Sequence, residues 1–110
     1  MLEGEFTRRL KPEIEKRMKQ AVVWKHSDRF TRGIPDLSVT WGSSTLWIEV
    51  KMEPEMPTKI QEYFLRKLGF GAALICASRD GRSAAFTSPF TGKTSFVTFD
   101  RLSELIAEQF

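Results

Sequence analysis

The sequence predicts an α/β fold in which a mixed central sheet is flanked by helices and followed by a smaller β-β-α segment. Three observations carry this prediction. A four-residue apolar period opens the chain, two alternating segments surround a short polar turn, and a continuous apolar run follows a second helical pattern. A chain of 110 residues can bury a core without a metal or a disulfide but is too short for two stable domains, so we expect one domain over residues 1–110.

The first helix is predicted from Leu2 to about Gln20, because apolar residues recur there every four positions. Pro12 lies inside this pattern and predicts a kink or a break after Lys11. Residues 21–24 then predict a short strand, and residues 27–33 a basic loop without periodicity. The apolar positions of the helix are Leu2, Phe6, Leu10, Ile14 and Met18.

Residues 36–51 predict a β-hairpin with a four-residue loop at 42–45. This register sets Trp41 opposite Leu46 and Asp36 opposite Lys51, and it gathers the charged side chains of Asp36, Glu49 and Lys51 on one face. The other face is apolar and carries Leu37, Val39, Trp41, Leu46, Ile48 and Val50.

The second half of the chain predicts the remaining elements. A helix opens at Thr58 with the spacing of a capping box and ends at Gly69. The apolar run 72–77 predicts a strand buried on both faces. Residues 84–87 and 94–99 predict two more strands, and Asp100 is expected to cap a last helix over residues 101–109.

The composition, with 41% hydrophobic and 28% charged residues, is that of an ordinary globular protein. The single cysteine, Cys76, excludes an intramolecular disulfide framework and a cysteine-built zinc site, and its apolar neighbours predict a small buried side chain.

Because no signal peptide or membrane span is evident, we expect a cytoplasmic protein, which a phage genome could also encode. The net charge of +3 permits nucleic acid as a partner without showing it.

Asp36, Glu49 and Lys51 are the first candidates for chemistry. Two carboxylates at the ends of paired strands suit a hard divalent ion such as Mg²⁺, and an adjacent ammonium could act on a water or offset charge at a phosphorus centre. A surface ion pair between Asp36 and Lys51, contributing under about 1 kcal/mol, explains the same pattern. Spacing alone favours this second interpretation.

The local sequence shifts the balance toward a metal site. Residues 33–37 (GIPDL) and, thirteen residues after Asp36, the motif around Glu49 in residues 48–51 (IEVK) resemble the PD-(D/E)xK nuclease signature. Within that superfamily the chain is most similar to the virus-type replication-repair nuclease (VRR-NUC) domain, whose following helix carries a glutamine and a glycine that match Gln61 and Gly69. The resemblance covers residues 2–78 and covers the rest poorly.

The resemblance implies a restriction-endonuclease-like fold and an Mg²⁺- or Mn²⁺-dependent endonuclease that hydrolyses DNA phosphodiester bonds. It implies that Asp36 and Glu49 are metal ligands, that the backbone carbonyl of Val50 is a further ligand, and that Lys51 is the catalytic lysine. Gln61 has two interpretations: it completes the capping box with Thr58, or it donates a hydrogen bond to the attacking water or a phosphate.

The family also places a glutamate on the first helix, and Glu3 and Glu5 compete for this role. Glu3 is preferred because it lies three positions before Phe6, on the inward stripe. Glu5 projects about 100° away from Phe6 around the helix, which favours solvent.

Basic and aromatic residues near these motifs are candidates for DNA contacts. Four cations could bind phosphate, or they could simply be solvated: Lys25, Arg29, Arg32 and Lys59. Three tryptophans could stack on bases, but Trp41 is expected in the core, and Trp47 is expected to pack under the first helix rather than line the cleft. The third is Trp24, in the first predicted strand.

The lead hypothesis is a structure-selective endonuclease that nicks Holliday or other branched junctions. Because one small domain offers little surface to grip branched DNA, a homodimer is expected, with an apolar surface from Phe86, Phe90, Phe96 and Phe110. One alternative is a catalytically inactive or accessory DNA-binding module with the nuclease fold, against which the intact Asp36, Glu49 and Lys51 speak. Another is a restriction-type endonuclease, for which no major-groove recognition element is evident.

Overall fold

The computed structural model describes residues 1–26, 34–55 and 72–110. In these ranges the elements follow the order α1 (Glu3–Arg17), β1 (Val22–Lys25), β2 (Leu37–Trp41), β3 (Ser44–Met52), β4 (Ala72–Ala77), β5 (Ser83–Thr87), β6 (Thr94–Thr98) and α2 (Phe99–Ala107). The basic loop predicted at 27–33 and the helix predicted from Thr58 to Gly69 lie outside the described residues.

The strands form one six-stranded sheet in the order β1-β2-β3-β4-β5-β6. Strands β3 and β4 pair in parallel, and every other neighbouring pair is antiparallel. The predicted mixed sheet is therefore present, and the β-β-α ending is formed by β5, β6 and α2. Among the strands of the described ranges, β1 and β6 lie at the edges of the sheet.

The core lies between one face of the sheet and the two described helices, α1 and α2. The predicted four-residue stripe of α1 buries Phe6, Leu10 and Ile14 completely, whereas Leu2 precedes the helix and is exposed. The helix continues through Pro12, so the predicted break is wrong. Pro12 is exposed, and a proline that faces solvent removes one backbone donor without disturbing the buried stripe.

The hairpin of β2 and β3 differs from the prediction by two residues in register. Leu37 pairs with Ile48 and Trp41 pairs with Ser44, so the turn contains only residues 42 and 43. Gly42 has a φ of +63°, and glycine in the left-handed region at the first turn position is typical of a type II′ hairpin. Because the shift is even, every side chain keeps the face that the alternation predicted.

Several predicted burials are corrected. Trp41 is 49% exposed rather than in the core, because it stands last before the turn, where the ring of Phe110 meets it edge-on at 6.3 Å between centroids. Phe86 is buried rather than part of an exposed surface, because it lies on the face of β5 that α2 covers. Cys76 is half-buried, since β4 alternates buried and half-buried residues instead of burying both faces.

The last helix begins earlier than predicted. Its N-cap is Thr98 without a side-chain hydrogen bond, and Asp100 lies in the first turn rather than at the cap. A carboxylate in the first turn still interacts favourably with the positive end of the helix dipole.

Gly81, in the turn between β4 and β5, is a position where alanine should be costly. Its φ is +72°, and an added Cβ would also collide with the sulfur of Met1. We expect Gly81→Ala to lower the free energy of unfolding by about 1–2 kcal/mol in urea titrations. Gly92→Ala is the control, because Gly92 has a φ of +69° with nothing within 4 Å of the new Cβ. An equal loss in both variants would contradict a contribution from the Met1 contact.

Candidate active site

Three carboxylates from distant parts of the chain meet at the end of the sheet where β2 begins. Glu3 comes from the first turn of α1, Asp36 directly precedes β2, and Glu49 lies within β3. One oxygen from each of these side chains lies within 4.8 Å of the others. The structure thus brings together two carboxylates predicted from the hairpin and the preferred glutamate of the first helix, while Glu5 is exposed.

Asp36 is fixed by backbone groups of both neighbouring strands. Strand β2 begins only at Leu37, so no strand residue accepts from the N–H of Val50 on that side. The Asp36 carboxylate takes this place, with its Oδ2 accepting from the Val50 N–H at 2.8 Å. The Asp36 carbonyl accepts from the N–H of His26 at 2.8 Å. Asp36 therefore lies beside Glu49, and the predicted pairing of Asp36 opposite Lys51 is wrong.

Glu49 is fully buried, which is unusual for a carboxylate. Strand alternation directs Leu46, Ile48 and Val50 into the core, and Glu49 points to the opposite face of the sheet. Burial raises the pKa of Glu49 to about 9. The hydrogen bond that protonated Glu49 donates to Asp36 and the negative charge of Asp36 add to this effect. Glu49 therefore holds its proton near neutral pH when no cation is present.

Lys51 supplies a buried positive charge beside the carboxylates. Its side chain is 9% exposed, and its Nζ lies 3.9 Å from Oε2 of Glu3. The pKa of Glu3 is raised to about 7, chiefly by burial and then by the charge of Asp36, and the Lys51 ammonium only partly opposes this rise. The predicted surface ion pair between Asp36 and Lys51 is not formed; Lys51 pairs with Glu3 instead.

The donor set fits a hard divalent cation. Carboxylate oxygens are the ligands that Mg²⁺ and Mn²⁺ prefer, and three of them converge here, from buried Glu49 and from half-buried Glu3 and Asp36. Burial, and then the negative charge of Asp36, raise the pKa values of Glu3 and Glu49 and so disfavour their ionised forms. A bound cation would favour the ionised carboxylates.

The same shifts predict how the stability of the metal-free protein depends on pH. The unfolded chain releases the protons of Glu3 and Glu49 near pH 4.5, but the folded chain keeps them until about pH 7 and about pH 9. Between these values the folded state binds more protons, so stability is highest below about pH 4.5 for these two groups and is lost as the pH rises. We expect the melting temperature in EDTA to fall from pH 5.5 to pH 8.5, by calorimetry. A rise over this range would contradict the assignment.

Sequence reasoning did not predict that Ser38 and His26 meet beside this cluster. The His26 Nε2 and the Ser38 hydroxyl are hydrogen-bonded at 2.8 Å, and the His26 ring lies 5.3 Å from that of Trp47 between centroids. Trp47 thus packs against the His26 ring on the face of the sheet opposite α1, so its predicted position under the first helix is wrong. The alternation of the hairpin predicts that Ser38 lies on the same face as Trp47, and this signal could have identified Ser38.

The structure places only one of the four predicted DNA-binding cations. Lys25 is exposed at the end of β1, adjacent to His26. The other three, with Gln61, lie outside the described residues: Arg29, Arg32 and Lys59. A basic candidate that was not predicted is Arg79, exposed in the turn after β4, whose carbonyl accepts from the Met1 ammonium at 2.8 Å next to the start of α1.

Neither α1 nor α2, the helices in the described part of the chain, is long and apolar enough to cross a membrane.

Comparisons with known proteins place the fold but not a family. No family model matches the chain, and no curated protein matches it. Among solved structures, the chain is similar to Hjc, a Holliday junction resolvase from the archaeal hyperthermophile Archaeoglobus fulgidus, with 22% sequence identity and a TM-score of 0.55. The match covers 96% of this chain and 97% of that one. It confirms the predicted α/β fold class, a mixed central sheet flanked by helices. Membership of the VRR-NUC group stays a prediction.

Proposed function

We propose that this protein is a divalent-metal-dependent DNA endonuclease that hydrolyses phosphodiester bonds in branched DNA, with four-way junctions as its preferred substrate. The observation that carries the proposal is the convergence of Glu3, Asp36 and Glu49 within 4.8 Å, with the Lys51 ammonium 3.9 Å from Glu3. The fold shared with a Holliday junction resolvase supports the choice of substrate.

Glu3, Asp36 and Glu49 would hold Mg²⁺ or Mn²⁺, and the backbone carbonyl of Val50 would be a further ligand. In a strand, the N–H and the C=O of one residue face the same neighbour. Because the Val50 N–H donates to Asp36, its carbonyl also faces that side. When bound, the metal ion would act as a Lewis acid on the phosphate and lower the pKa of a water.

Lys51 is proposed as the catalytic lysine. Its buried ammonium is oriented by Glu3, so it can donate hydrogen bonds to a water or to a phosphate oxygen beside the carboxylates. We assign it the role of holding the attacking water or offsetting negative charge as the phosphorus–oxygen bond breaks. Gln61 is proposed to donate to the same water or phosphate, and Lys25, Arg29, Arg32 and Lys59 to contact neighbouring phosphates.

A homodimer would let two such sites act on two strands of one junction. The β6 edge supports this proposal, because Phe96 in β6 is 84% exposed and Phe90 just before it is 51% exposed. Phe110 is half-buried against Trp41, which leaves less of it for an interface. Sedimentation equilibrium at micromolar concentration should give twice the mass of one chain; the mass of a single chain would contradict the dimer.

The function is tested by incubating the protein with labelled four-way-junction, flap and linear duplex DNA in Mg²⁺ or Mn²⁺. We expect cleavage of the junction ahead of the other substrates, and no cleavage in EDTA. A matched RNA junction reports whether RNA is also cut. If no DNA is cut with either metal, the enzymatic proposal is wrong; if all three DNA substrates are cut equally, only the junction preference is wrong.

A further inference from the structure

An exposed tryptophan stands beside the carboxylate cluster. Trp24 in β1 pairs with Ser38 in β2, and Ser38 pairs with Trp47 in β3. Directly paired residues share a face, so this row lies on the face of the sheet that carries Glu49. Asp36 is the diagonal neighbour of Trp24 across β1 and β2, and diagonal neighbours lie about 7–8 Å apart.

The rings of His26 and Trp47 are held by neighbouring groups, whereas the ring of Trp24 is exposed to solvent. The rings of His26 and Trp47 pack on each other at 33°, and His26 is anchored to Ser38 and to Asp36 at 2.8 Å each. Trp24 is 62% exposed, although the adjacent Val23 is 8% exposed and holds β1 against the core. The strand therefore presents the Trp24 ring to solvent from a fixed backbone position.

We propose that Trp24 is a stacking platform for an unpaired base that adjoins the phosphate held at the cluster. This inference rests on the proposed function, because the cluster must first place that phosphate. The separation of Trp24 from Asp36 is of the order of one nucleotide step. A base inside a duplex is already stacked on both faces, whereas an unpaired base at a branch or a bulge offers a free face to an indole ring. The residue thus selects DNA that contains unpaired bases.

The test compares two probes that differ only in their bases. One is a DNA duplex with a bulge of three thymines, and the other has the same bulge built from three abasic nucleotides, so phosphate charge is identical. Binding is measured by fluorescence anisotropy in Ca²⁺, a hard cation that takes the same oxygen ligands, and at fixed salt, because salt alters affinity strongly. We expect the wild-type protein to bind the thymine bulge about tenfold more tightly, the scale of one base stacked on an aromatic ring.

Four variants separate stacking from other effects. Trp24→Ala should abolish the preference for thymine, and Trp24→Phe should keep most of it. Trp41→Ala is the matched control, because Trp41 is 49% exposed but lies on the opposite face at the hairpin turn. Lys25→Ala should weaken both probes equally, since it removes only a phosphate contact. Circular dichroism would verify that each variant is folded.

Loss of the preference in Trp24→Ala, with the preference kept in Trp41→Ala, supports the proposal. It is overturned if the wild-type protein binds both probes equally or binds neither, or if Trp24→Ala keeps the preference. Failure of DNA cleavage in Mg²⁺ or Mn²⁺ is a separate outcome that contradicts the endonuclease function, because the anisotropy measurement requires no catalysis.

Discussion

Replacing Lys51 with alanine or methionine is expected to slow cleavage of a four-way junction by about 10²- to 10⁴-fold, the range for loss of a positioned proton donor or charge. The reason is the position of its ammonium, buried and 3.9 Å from Glu3 at the edge of the carboxylate cluster. A buried cation contributes little to the outer surface that grips DNA, so we expect junction affinity to change less than threefold. Single-turnover rates at saturating protein, together with anisotropy in EDTA, measure the two quantities separately.

Lys16→Ala is the matched control for this experiment. Lys16 also pairs with a glutamate, Glu13, at 3.7 Å, but its side chain is 78% exposed on α1. Exposed pairs of this kind contribute little to stability, and we expect a normal cleavage rate. If Lys51→Ala cuts the junction as fast as the wild-type protein does, the assignment of a catalytic lysine is wrong. The methionine variant keeps the volume of the side chain and excludes a cavity as the cause of any loss.

The hairpin shows what an alternating sequence determines and what it leaves open. Alternation with a period of two assigns each residue to a face, and a register shift of two residues leaves those faces unchanged. The sequence therefore predicted that Asp36 and Glu49 gather at one site, although it misassigned the direct partner of Asp36. The length of the turn decides the register, and Gly42 with its positive φ allows a turn of two residues where four were predicted.

Residues that depend on the neighbouring elements were harder to predict. Trp41 follows the apolar pattern of β2, yet it stands last before the turn and is half exposed. Phe86 and Phe96 look alike in the sequence, but they lie on opposite faces of the sheet: Phe86 pairs with Ser95 on the face that α2 covers, and Phe96 pairs with Ala85 on the other face. In the structure Glu3 reaches the cluster and Glu5 is exposed, as the sequence predicted. This was predictable because helical periodicity decides which side of α1 faces the sheet. His26 and Ser38 meet through side-chain contacts that no periodicity encodes.

Replacing Glu49 with glutamine is expected to have opposite effects on stability and on activity. Glu49 is fully buried beside Asp36, and its pKa is raised to about 9. At pH 8 the folded wild-type protein must therefore keep a proton that the unfolded chain has released, which lowers its stability. Glutamine has nearly the same shape and needs no proton. We expect the metal-free variant to melt roughly 5–10 °C higher than the wild-type protein at pH 8 and at nearly the same temperature at pH 4.5.

The same substitution should remove the response to metal. A ligand that binds only the folded state stabilises it by about 2.7 kcal/mol at a hundredfold excess over the dissociation constant, so Mg²⁺ or Mn²⁺ should raise the melting temperature of the wild-type protein at pH 8. Glu49→Gln should show no such rise and no junction cleavage. Glu15→Gln is the control, because Glu15 is an exposed partner of Lys11 on α1 and should leave both responses intact.

Two results would count against this account of Glu49. One is a metal-free Glu49→Gln protein that is less stable than the wild-type protein at pH 8, which would mean that the carboxylate is ionised and stabilising without a cation. The other is a variant that Mg²⁺ still stabilises fully, which would place the metal elsewhere. The Glu49 carboxylate destabilises the metal-free fold, but a bound cation reverses the sign of its contribution to stability. Substitution of Glu49 should therefore raise stability without metal and lower activity with metal.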